Sequence, residues 1–122
     1  MAVTNNVIVL VTCAGKMEAK RIARSVVEAR LAACVNVLSA PVDSIYRWNG
    51  KVERAREVLL VIKTSKKRLR ALQAAVARMH SYHVPEFIAL PIAAGSKAYL
   101  SWLEESVSVR RATKRTTRRS KP

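Results

Sequence analysis

The stretch HSYHVPEFIALP, residues 80–91, holds both histidines of the chain, His80 and His83, with Glu86 three positions further on. Neutral imidazoles are good donors to Cu(II) or Zn(II), and a thiolate suits Cu(I). A three-residue step sets both rings on one side of a helix, but only if the helix continues. Pro85 argues that it does not, because the residue before a proline is pushed towards extended geometry. On spacing alone the stretch reads as a polar hinge or cap between a helix and a strand. No zincin, EF-hand or Cys-x-x-Cys pattern accompanies it.

The other chemistry-bearing residues are scattered. Cys13 ends an apolar run and Cys34 lies in LAACVNV, so both read first as small buried hydrophobes. Lys63 closes an otherwise apolar strand six residues after Glu57. It either meets an anionic group or marks where the strand surfaces. Tyr46 and Trp48 alternate with Ile45 and Arg47, which puts both aromatics on one face of an extended arm. Such residues stack bases in RNA-binding sheets, or they pack against a second subunit; the K/R-G-F/Y-G/A-F-V pattern of the RNA-binding modules is absent. With no nucleophile elbow, no Ser/His/Asp or Cys/His arrangement and no glycine-rich phosphate loop, catalysis is not expected.

These residues need elements to hold them. VIVLVT, residues 7–12, is a β-branched run that predicts a strand buried on both faces. From Lys16 to Leu31, Ala19, Ile22, Ala23, Val26, Val27 and Leu31 form one helical stripe. AACVNVLS starts a second strand, where Pro41 predicts a bulge or a sheet edge. VDSIYRW resumes that strand, and Asn49-Gly50 marks a type I′ hairpin. The returning strand runs from about Val52 to Thr64. Ser65 is placed to cap a second helix to about His80, with Leu69, Leu72, Val76 and Met79 inward. FIALPI predicts a fourth strand. Gly95-Ser96 opens a third helix, with Tyr99, Leu100 and Leu103 on one face. The order β-α-β-β-α-β plus a terminal helix specifies an α+β, ferredoxin-like sandwich. Helices cover one face of such a sheet. Because VIVLV and VLLVI lack polar alternation, the other face is expected to be apolar and to require a partner chain.

The 122 residues suit one domain, and half are hydrophobic, which excludes general disorder. The net charge of +15 is unevenly spread: seven of the 23 basic residues fall within residues 106–122, which contain no acid. The sequence therefore divides into a folded domain over 1–107 and a basic tail over 108–122, expected to be disordered. Any contact with nucleic acid is expected to be non-specific and through that tail. No apolar run approaches the roughly 20 residues of a membrane span. MAVTNN carries no signal-peptide features, and the cytoplasm is the expected compartment.

From Val7 to about Glu105 the chain resembles the CutA family of divalent-cation tolerance proteins. The resemblance rests on VTC, VVEARLAACVNV, SIYRWNGKVE, EVLLVIKTS, HSYHVPEFIALPI and YLSWL, in this order and spacing. It implies a ferredoxin-like subunit, a compact homotrimer and an architecture related to the PII signalling proteins. It also implies copper tolerance and weak binding of Cu(II) or another divalent ion, with no established reaction. His80 matches the family's recurring histidine, whereas Ser81 stands where proline is common and His83 occupies a variable position. His80, completed by Glu86 or Cys13, is thus the expected metal site, and His83 has no inherited role. Tyr46, Trp48, Lys63 and Tyr82 match residues that recur near subunit clefts. They leave open a PII-like alternative, a sensor that binds a small anionic ligand near Lys63.

Overall fold

The computed structural model describes residues 4–109. The elements are β1 (Asn6–Cys13), α1 (Lys16–Glu28), β2 (Cys34–Trp48), β3 (Lys51–Ser65), α2 (Leu69–Met79), β4 (Ile88–Pro91) and α3 (Lys97–Ser106). The sheet order is β2-β3-β1-β4, and every neighbouring pair is antiparallel. This is the ferredoxin-like sandwich with an added C-terminal helix.

Strand alternation explains the core. Val7, Val9, Val11 and Cys13 of β1 face α1 and α2, where they meet Ala19, Ile22, Val26, Leu72, Ala75 and Val76 in one buried cluster with Leu60 and Ile62 of β3. The opposite face carries Ile8 and Leu10, paired across the ladders with Lys63, Val61, Leu90 and Ile88. Among the described residues only α3 reaches this side, at one end, where Asn6 donates from Nδ2 to Glu104 at 3.2 Å and Leu103 and Val107 bury against Ala33. The apolar second face expected from the sequence is present: Leu38, Ile88 and Leu90 are all about half exposed.

Pro41 sits where two constraints agree. β2 is an edge strand, and its register with β3 shifts between Leu38 and Val42. Beyond the shift β2 and β3 continue as a two-stranded arm to the turn, where Asn49 and Gly50 have φ of 51° and 79°, as a type I′ turn requires.

Three expectations need correction. α1 stops at Glu28 instead of reaching Leu31, because Arg30 turns left-handed (φ 59°) and the Leu31 N–H closes onto the Val26 carbonyl at 2.9 Å. Ser65 occupies a cap position, but its side chain makes no capping bond. The Asn5 carbonyl accepts the Lys66 N–H at 2.8 Å instead, and a 3-10 turn over Lys66–Arg68 precedes α2. β4 is confined to Ile88–Pro91, while Phe87 turns inward onto the core. Cys13 and Cys34 are both free. Except for positions 108 and 109, the expected basic tail lies outside the described residues.

Candidate functional site

The segment between α2 and β4 is pinned from three sides. Glu18 of α1 accepts from the Ser81 N–H at 2.6 Å and from its hydroxyl at 3.1 Å. Arg21 donates to the Met79 carbonyl at 3.1 Å. His80 is buried and uses both ring nitrogens: Nε2 donates to the Thr12 carbonyl at 2.7 Å, and Nδ1 accepts the Tyr82 N–H at 3.1 Å. These partners fix one neutral tautomer. A metal at either nitrogen would first have to displace a backbone hydrogen bond.

The pinned segment faces the base of the β2–β3 arm across a cleft of ≈ 670 Å³. Tyr46 and Trp48 line it from β2, Glu57 from β3, and Tyr82, His83 and Glu86 from the segment itself. Glu57 is 7% exposed. Its Oε2 accepts from the Tyr82 hydroxyl at 2.7 Å, which anchors the ring over the arm. Burial, followed by this bond and the Glu57 charge, pushes the Tyr82 pKa upward, so the hydroxyl remains a donor. Glu86 is an exposed residue with its carboxyl turned into the cleft. Partial loss of water, with the Glu57 charge second, raises its pKa above the usual 4.5.

The expected metal ligands do not converge on this arrangement. Cys13 is fully buried on the helix side of β1, and burial, assisted by Glu18 and Glu57, pushes its thiol up to about 12. The thiolate needed to bind a soft metal is suppressed at neutral pH. Among the described residues no three His, Cys, Asp or Glu are placed to hold a metal ion together. Of the expected cleft residues, Tyr46, Trp48 and Tyr82 come together, whereas Lys63 does not join them. It lies six positions along β3 from Glu57, about 20 Å at strand rise, paired with Ile8 and Cys34, and its Nζ donates to the Asn36 Oδ1. Glu57 and His83, which the sequence reading had not assigned to the cleft, also line it. The signal for Glu57 was its place opposite Val42, directly after the Pro41 irregularity.

The family comparison agrees with this architecture. Residues 7–106 match the CutA1 divalent ion tolerance protein family. The chain belongs to the CutA family. It is 46% identical over 99 residues to the divalent-cation tolerance protein CutA of Thermus thermophilus, covering 81% of this chain and 95% of that one. The human protein CutA is 50% identical over 101 residues, covering 80% of this chain but 56% of the longer human one. Among solved structures, the Thermus CutA superposes with a TM-score of 0.82 at 44% identity, covering 84% of this chain and 99% of that one. CutA1 from Oryza sativa gives 0.83 at 43% identity, covering 88% and 97%. CutA relatives thus share the sheet that positions the cleft.

Proposed function

We propose that this protein acts in divalent-cation tolerance by binding the ion at the cleft, as a non-catalytic homotrimer in the cytoplasm, and that Cu(II) is among the ions it takes. The observation that carries this reading is the cleft's charge. A chain with 23 Lys and Arg against eight Asp and Glu lines the cleft, among the described residues, with two carboxylates, an imidazole and no Lys or Arg. Carboxylates at the cleft wall favour a cation there in spite of the net charge of +15. It disfavours the anionic ligand of a PII-like sensor, unless a second copy brings its own Lys63 to the site.

His83 and Glu86 are the accessible donors, with Glu57 behind them. So few ligands support weak, hydrated binding and not a closed structural centre. The test is calorimetric titration with Cu(II). His83→Ala and Glu86→Gln should each weaken binding by about tenfold, near 1.4 kcal/mol, and His80→Ala should weaken it less once the variant is shown to be folded. Because the folded protein holds the Glu86 proton above pH 4.5, affinity should also fall as pH is lowered through that raised value. Copper affinity that depends on His80 and ignores His83 would move the site out of the cleft.

A further inference from the structure

The acidic residues account for a cation in the cleft, but they leave its aromatic wall unexplained. Tyr46, Trp48 and Tyr82 are three of only six aromatic residues in the chain. A small divalent metal ion is strongly hydrated, and a π face offers no lone pair to replace the water it would lose. An organic ammonium behaves in the opposite way. Its charge is spread over alkyl groups and weakly hydrated, so the negative face of an aromatic ring attracts it while its carbon surface leaves water.

From this mismatch we infer that the cleft between the β2–β3 arm and residues 82–86 is a receptor for a small organic ammonium, with Trp48, Tyr46 and Tyr82 facing its alkyl groups and Glu57 and Glu86 balancing its charge. The inference rests on the cation-selective reading of the same cleft, and it adds a ligand class that metal binding does not require.

The geometry supports it in three ways. Beyond the register shift, Ser44, Tyr46 and Trp48 alternate on one face of β2, the face Glu57 shares on β3, so rings and carboxylate open into one space. The buried Glu57 uses Oε2 for the Tyr82 hydroxyl, and its Oε1 receives no hydrogen bond from the described residues. A carboxylate oxygen without a protein donor that opens onto the cleft favours a cation beside it. The rim is completed by Ile45 and Val84, which are 70% and 61% exposed and suit a ligand with carbon surface. A volume of ≈ 670 Å³ lies within the usual range of small-molecule sites.

The experiment is a titration of the full-length protein with phenyltrimethylammonium and, separately, with its neutral isostere tert-butylbenzene. It is read by calorimetry and by Trp48 fluorescence in a Trp102→Phe background. Saturable binding of the ammonium in the millimolar range or tighter is expected, with no comparable binding of the isostere. Trp48→Ala should weaken ammonium binding by about tenfold, Trp48→Phe should retain most of it, and Glu86→Gln should weaken it without changing the fluorescence of the free protein. The Cu(II) titration of the wild type, run in parallel, separates this inference from the metal reading. Equal binding of charged and neutral probes, an unaffected Trp48→Ala variant, or no ammonium binding would each overturn it. Ammonium binding without copper binding would leave the inference standing and remove the proposed metal role.

Discussion

His80 illustrates how one residue type serves two unrelated purposes. The family resemblance made it the expected ligand, whereas its spacing from Pro85 made it a hinge, and its hydrogen bonds agree with the hinge. Nε2 ties the start of the 80–86 segment to the end of β1, and Nδ1 holds the Tyr82 N–H. His80→Ala would leave a buried carbonyl and an N–H without their partner, at a cost of about 1–3 kcal/mol for each unsatisfied group. We therefore expect a loss of about 2–4 kcal/mol in denaturant unfolding, with Tyr82 less firmly held. Unfolding midpoints equal to wild type would show that water replaces the ring in both bonds. Residue types and local spacing could suggest which side chains were polar punctuation. They could not show that His83 would face the same space as Trp48. That proximity depends on long-range pairing between the arm and the sheet.

At the scale of elements the sequence was most legible where a backbone conformation has few residues able to adopt it. Asn49-Gly50 gave the arm and its register, and Pro41 gave the irregular edge. α1's end and the entry to α2 were less legible. Both depend on partners distant in sequence or on a non-glycine residue held left-handed, namely Asn5 for Lys66 and Arg30 for the turn after α1. The arm's turn gives a direct test. Gly50 has a φ of 79°, and a Cβ built there meets nothing within 4 Å. Gly50→Ala therefore introduces conformational strain alone, about 1–2 kcal/mol. The expected result is destabilisation of that size in equilibrium unfolding, together with weaker cation binding, because the same arm carries Tyr46, Trp48 and Glu57. A neutral effect on unfolding would mean that the turn relaxes to another type without disturbing the arm.

At the scale of the whole molecule, the sheet's second face sets the physical problem. Leu38, Ile88 and Leu90 are 39%, 50% and 48% exposed, and Val52 on the arm reaches 66%. α3 covers only the end of this face near Asn6 and Ala33. Burying apolar surface contributes roughly 25 cal/mol per Å², so side chains of this size favour association strongly once several are covered together. This is the physical basis for the proposed homotrimer, and the projecting arm provides the means of reaching a neighbour. Leu90→Lys tests it at a position already half exposed in the single chain, where the folded subunit tolerates a charge. Placed inside an assembled interface, the same ammonium would be desolvated without a partner, at a cost of several kcal/mol. Light scattering should give the wild type a mass three times 13.6 kDa, and the variant a mass closer to that of one chain, with its far-UV circular dichroism preserved. A wild-type mass of 13.6 kDa at micromolar concentration would show that this face remains in water and that the cleft functions within a single chain.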